Sequence, residues 1–246
     1  MRRIKPQISR AEQAYRAILD EICEGALAPG THLVQEQLAA RLGVSRQPIQ
    51  QAMALLKSDG LVQELGARGL YVAPLAVEVM RQHYEIRGAL DVLAARLGAT
   101  RARGSSRIAE EIARRGQGIM TAGTAAAAAG DVRLMVHHDV AFHKFLYEVS
   151  GNPLLAGTAE PHWRYLRRVM AEVLRYAEPR PRIWEQHRGI LNAIVRGDAK
   201  AAMERAARHV TGAAEQLSSA FRDGRINGGS ATAGTPARRT PGVRRT

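Results

Sequence analysis

Residues Leu38 to Leu56, LAARLGVSRQPIQQAMALL, admit few folds. Leu38, Ala39 and Leu42 set the apolar face of a short helix, and Gly43 supplies a residue that tolerates a left-handed backbone. Val44 closes the corner. Ser45 stands where a second helix needs an N-cap, and Ile49, Ala52, Met53 and Leu56 recur behind it at helical spacing. Pro48 falls in the first turn, where a missing backbone N–H costs little. The outer face is left with Ser45, Arg46, Gln47, Gln50 and Gln51, polar groups that reach base edges, with few acids nearby to repel phosphate. This is a helix-turn-helix pattern, in which the second helix enters the major groove of DNA.

The flanks extend it. Ser9-Arg10-Ala11-Glu12 has the form of a capping box, and Ala11, Ala14, Tyr15, Ile18 and Ile22 keep one face apolar to about Glu24. Pro29-Gly30 makes a turn. After Asp59-Gly60 the period shortens, so that Leu61–Leu65 and Leu70–Ala73 read as strands around Gly66-Ala67-Arg68-Gly69. Three helices and a β-hairpin describe a winged helix-turn-helix over residues 1–75. Arg68 at the hairpin tip is placed to touch phosphate or a neighbouring minor groove.

The formal charge of +13 fits a polyanionic partner. Its distribution weakens that argument, because residues 1–75 hold nine Lys/Arg against seven Asp/Glu. The motif therefore carries the DNA reading, double-stranded and sequence-specific. The rival is an architectural protein that uses its charge, which would bind without sequence preference and with a steep salt dependence.

Beyond Pro74 no strand pattern follows. Helical periodicity runs through about 76–99, 106–129, 131–149, 152–177, 181–196 and 198–222, and aromatic content of 4% with abundant Ala, Leu and Arg favours helices throughout. The expected fold is mainly α: the winged head, then an all-α antiparallel bundle of about six helices over 76–223. Residues 224–246, rich in Gly, Thr, Ala, Pro and Arg, are expected to be a disordered basic tail. Cys23 is the single cysteine and reads as a small buried hydrophobe, so no internal disulfide forms and a reducing compartment fits. No apolar run approaches the roughly 18 residues of a membrane span, so the expected location is the cytoplasm.

Inside a helical bundle the informative residues are polar groups on apolar stripes. Asp139 shares a face with Met135, Phe142, Leu146 and Val149, and His143 follows one turn on. His187 lies with Ile183, Ile190 and Ile194, and His209 with Ala202, Ala206, Ala213 and Leu217. One carboxylate and three imidazoles from three helices suit a divalent ion such as Zn, Ni or Mn with coordination positions left open, although each alone also reads as a satisfied core group. Arg87, between Met80 and Leu90, either clamps a carboxylate in a bundle cavity or pairs with Asp91 one turn away. A metal-dependent enzyme is the competing class. Against it, no spare inward carboxylate stands as a general base, and HExxH is absent.

Together these residues resemble the GntR family of bacterial transcription regulators, in the branch with the FadR C-terminal (FCD) ligand domain. The resemblance rests on Ile18-Leu19, Pro29-Gly30, Leu38-Ala39, Gly43-Val44-Ser45-Arg46, Pro48, Asp59-Gly60-Leu61-Val62, Arg68-Gly69 and Val72 in the first domain. In the second it rests on Arg87, Asp139 with His143, Ser150-Gly151-Asn152-Pro153, His187 and His209. It implies a homodimeric regulator, more often a repressor, on a palindromic operator, with a small organic acid as effector. Metal ligands of the branch match Asp139, His143, His187 and His209, and the effector residues expected are Arg87 and Asn152. The expected DNA contacts are Ser45, Arg46, Gln47, Gln50 and Arg68.

One departure is specific. The family usually begins its recognition helix Pro-Val-Arg-Glu-Ala-Leu, where this chain has Pro48-Ile49-Gln50-Gln51-Ala52-Met53. Gln pairs with adenine through N6 and N7, so a half-site different from the family's common one is expected.

Overall fold

The computed structural model describes residues 8–176 and 182–223. The first elements are α1 (Arg10–Glu24), α2 (Gln35–Leu42), α3 (Arg46–Ser58), β1 (Val62–Glu64) and β2 (Leu70–Val72). Ser9 Oγ accepts from the Glu12 amide and starts α1. Gly43 takes φ 64° at the α2–α3 turn, which is the left-handed conformation that lets the two helices cross so closely. Ile49, Ala52, Met53 and Leu56 of α3 are buried, together with Tyr15, Ile18 and Ile22 of α1. The strands pair antiparallel, Val62 opposite Val72, and Arg68 ends a single 3-10 turn at their tip. Both strands are shorter than the sequence pattern suggests, because Leu65 and Ala73 fall outside the ladder. Ser45 occupies the N-cap position of α3, but its hydroxyl makes no cap hydrogen bond.

Six further helices follow: α4 (Val77–Arg103), α5 (Ser106–Ala129), α6 (Val132–Val149), α7 (Leu154–Tyr176), α8 (Arg182–Val195) and α9 (Ala199–Arg222). Ser105, Asp131 and Asp198 cap α5, α6 and α9 by accepting a backbone N–H from within the first turn. Helix α4 is the centre of the bundle and touches each of the other five. Its small residues Ala94, Ala95, Gly98 and Ala99 are buried and allow that crowding. The 224–246 tail expected from composition lies outside the described residues. No described helix is long and apolar enough to cross a membrane, and Cys23 is buried.

Helix α7 packs on α1 and so joins the two parts of the chain. Tyr15 of α1 donates to Asp59 Oδ2 at 2.7 Å, and Arg164 of α7 reaches the same oxygen at 3.3 Å. Arg167 pairs with Asp20 at 3.0 Å, Arg168 donates to the Ala73 carbonyl, and the Ala76 amide donates to Tyr165 Oη at 3.3 Å.

Candidate functional site

Helix α6 places Asp139 and His143 one turn apart, α8 brings in His187, and α9 brings in His209. All four are buried, and one donor atom from each lies within 4.8 Å of the others. His187 Nε2 and His209 Nε2 are 3.2 Å apart, and His209 Nε2 and His143 Nε2 3.3 Å. The Asp139 carboxylate lies 3.5 Å from His187 Nε2 and 3.9 Å from His143 Nε2. An ion bonded at about 2.0–2.1 Å separates neighbouring ligand atoms by roughly 3 Å, so this donor set fits a divalent cation. Asp139 Oδ2 is buried without a hydrogen-bond partner, as a group meant for a cation would be.

The outer ring nitrogens are also arranged. Gln186 Oε1 lies 2.9 Å from His209 Nδ1. A carboxamide oxygen only accepts, so Nδ1 carries the proton and Nε2 keeps its lone pair toward the cluster. Asp91 Oδ2 is 2.9 Å from His143 Nδ1, though not aligned as a hydrogen bond. Asp91 is fully buried; it accepts from Tyr147 Oη at 2.5 Å and from Arg87 Nε at 3.2 Å. Trp163 Nε1 in turn donates to Tyr147 Oη at 3.2 Å. Arg87 makes the ion pair with Asp91 that its spacing allows, and it also lines the adjacent cavity. Its Nη2 donates toward His143 Nε2 at 2.7 Å, and its guanidinium lies 4.2 Å over the Trp163 ring.

Burial dominates the electrostatics. It pushes Asp139 up to about 6, against the pull of the Arg87 charge and with help from Asp91. Burial first, and Arg87 second, hold His143 well below the ordinary imidazole range. His187 and His209 are likewise held low by burial, then by their imidazole neighbours and Arg87. Neutral imidazoles are the metal-ligating form. At Arg87, burial opposes the charge but is outweighed by Tyr84, Asp91 and Asp139, so the guanidinium stays charged.

Next to the cluster a cavity of about 320 Å³ opens between α4, α6, α7, α8 and α9, with Arg87, Asp139 and His209 in its wall. Asn152 is not brought there. Its carboxamide oxygen accepts from the Leu154 amide and its own amide donates to Ser150 Oγ, so it shapes the α6–α7 turn instead. Asn152, expected at the effector, thus stands at this turn and is not among the residues that line the cavity. Gln186 was not found from sequence because it sits at an exposed position off the apolar stripe.

At the other end of the chain, Ser45, Arg46, Gln47 and Gln50 are all exposed on the first turns of α3, and Arg68 is exposed at the hairpin tip. They lie on surfaces a duplex can reach, with the buried face of α3 turned away.

Two family models match this chain. The model "Bacterial regulatory proteins, gntR family" matches residues 10–72, and the FCD domain model matches residues 82–212. Among curated proteins, the HTH-type transcriptional repressor RspR of Escherichia coli K12 is 26% identical over 206 residues, 84% of this chain and 88% of that protein. A protein of Paenarthrobacter nicotinovorans described as a probable D-xylose utilization operon transcriptional repressor is 29% identical over 203 residues, 81% of this chain and 85% of its own length. Among solved structures, E. coli McbR/YncC superposes with a TM-score of 0.73 at 20% identity, over 87% of this chain and all of that one. A GntR regulator from Rhodococcus sp. RHA1 superposes with a TM-score of 0.69 at 22% identity, over 87% of this chain and 99% of that one. These two likenesses concern the fold.

Proposed function

The chain belongs to the GntR family of bacterial regulatory proteins, with an FCD domain after its helix-turn-helix, and on that premise we propose that it is a metal-assisted sensor of a small organic acid. Its general role follows from the family: it is a DNA-binding transcription regulator with a ligand-binding domain, and its relatives are repressors and regulators. We assign Asp139, His143, His187 and His209 to a divalent ion, with Gln186 orienting the His209 ring and Asp91 standing beside His143. The observation that carries this is the convergence of one carboxylate and three buried imidazole nitrogens on one point.

The bound ion would supply positive charge for an acid's carboxylate. The chain's own residues do the rest. Arg87 lines the cavity beside the cluster and keeps its charge through Asp91. The indole of Trp163 covers the other side of its guanidinium, which limits where the charge can move. A carboxylate entering the cavity meets a fixed cation already stripped of water, so the cost of organising the site is met in the fold.

On DNA, we assign base contacts to Arg46, Gln47 and Gln50 and backbone contacts to Ser45 and Arg68, with two copies of the chain on a palindromic operator. An acid alters DNA affinity only as far as it prefers one arrangement of the two heads. The test is elemental analysis of the purified protein, followed by operator binding with and without organic acids. About one equivalent of divalent metal per chain and an acid-dependent shift in operator affinity are expected. Absence of both would end this reading.

A further inference from the structure

Resting on the sensor reading above, we infer that the effector is a carboxylic acid with an apolar body, aryl or branched alkyl, and not a polyhydroxylated acid. The cavity of about 320 Å³ is in the size range of small-ligand sites. Its polar groups fall in two places. At the cluster stand Arg87, Asp139 and His209, and Arg182 and Gln216 are exposed. Between them the wall is mainly apolar carbon, with Met135 from α6, Met170, Val173 and Leu174 from α7, Trp184 from α8 and Leu217 from α9, and it carries one buried donor without a partner, Trp184 Nε1.

Of the remaining polar side chains of the lining, Tyr84 stands at the cluster end beside Arg87, and Gln186 and Ser219 are engaged. Gln186 Oε1 faces His209 Nδ1, and Ser219 Oγ donates to the Gln216 carbonyl at 2.8 Å. The buried partners for a carboxylate, Arg87 and the cluster, therefore stand at one end, and the other guanidinium of the lining, Arg182, is exposed. A body bearing a hydroxyl on every carbon would leave water along this wall and find there one buried donor, Trp184 Nε1, for several hydroxyls, and each unpaired hydroxyl weakens binding. A body of apolar carbon gains by the same burial. The wall is also fixed in place. A Cβ on Gly123 would lie 1.9 Å from the Trp184 ring, so the indole is seated directly on the α5 backbone. Such a wall selects by shape.

The chain's two tryptophans both stand here, Trp184 in the wall and Trp163 against Arg87, which gives an intrinsic probe. The experiment titrates the full-length, Zn²⁺-loaded protein with phenylacetate, 3-methylbutanoate, gluconate and acetate, read by tryptophan fluorescence and by thermal shift. Phenylacetate or 3-methylbutanoate is expected to bind at least about tenfold more tightly than gluconate or acetate. Gluconate binding as tightly as either would overturn the apolar-body inference while leaving the acid sensor standing. Silence from all four acids would overturn both. Leu174, partly buried in the wall, supplies the second arm. Leu174→Gln is expected to weaken the apolar acid about tenfold with metal content unchanged. An unchanged affinity would remove Leu174 and its wall from the recognition.

Discussion

Arg164 of α7 reaches across to Asp59, the residue that ends the recognition helix α3, with Nη1 3.3 Å from Oδ2. The same carboxylate accepts from Tyr15, and the Arg164 guanidinium lies 5.3 Å over the Tyr15 ring. Helix α7 thus holds the end of the DNA-reading helix with one residue. With Trp163, Met170, Val173 and Leu174 it also borders Arg87 and the cavity. One helix thus contacts both the end of α3 and the wall of the cavity, a route by which a shift of α7 would reach the head. The expected outcome for Arg164→Ala is a stability loss of about 1 kcal/mol or less, since the pair is partly exposed. The change in operator affinity on adding an acid should fall severalfold, measured by fluorescence anisotropy on labelled operator. An undiminished response would show that another route couples the sites.

Gln186 fixes the His209 ring without being a ligand itself. Outer-shell partners of this kind typically contribute 10–100-fold to metal affinity. Gln186→Leu should therefore weaken metal binding by about tenfold or more in a chelator competition. Its side chain is exposed, so the melting temperature of the metal-free protein should hardly change. Equal metal affinity in the variant would mean that the ring is held by packing alone.

The helices were legible in the sequence because each carries an apolar stripe of the right period, and their ends carry Ser, Asp or Gly in capping positions. Asp139 and His143 could be paired from their spacing, and His187 and His209 from lying on apolar stripes. Other features depend on tertiary contacts that no local pattern encodes. Asp91 faces His143 across two helices, Trp184 packs into the gap left by Gly123, and Arg164 finds Asp59 from the far end of the bundle. Asn152 is the reverse case: its sequence motif says nothing of where it stands, and its backbone amide and carboxamide oxygen serve its own turn.

A second histidine pair predicts how stability follows pH. His83 of α4 and His162 of α7 face each other with Nδ1 atoms 3.0 Å apart, and His83 stacks on Tyr165. Burial lowers both, His162 lowers His83 further, and Asp59 opposes this at His83. A lowered folded-state value means that the unfolded chain takes up protons first as pH falls. The stabilising contribution is therefore complete above about pH 7 and is lost as pH drops below about 6.5 toward the folded-state values. His143, His187 and His209 act in the same direction in metal-free protein, while Asp139, raised to about 6, and Asp91, also raised, act against them. Urea unfolding of metal-free protein between about pH 7.5 and 5 should show this decline, and a His83→Gln/His162→Gln double variant should show a shallower one. The same pH dependence in the double variant as in the parent protein would contradict the assignment.

Gln50 is exposed on α3 between the buried Ile49 and the buried Ala52, with Gln51 beside it, so its carboxamide is free to face the major groove. A Gln carboxamide satisfies adenine N6 and N7 together, whereas Arg satisfies guanine O6 and N7. Gln50→Arg is expected to move preference at one position of each half-site from adenine to guanine, a discrimination of about 1–3 kcal/mol per good bidentate pair. The head should remain as stable as before, because an exposed helical Gln and Arg have similar propensities. Selection from a randomised operator pool, run in parallel on both proteins at one salt concentration, reads this directly. If both proteins rank the same half-sites alike, Gln50 does not read a base, and Arg46 and Gln47 must carry the specificity.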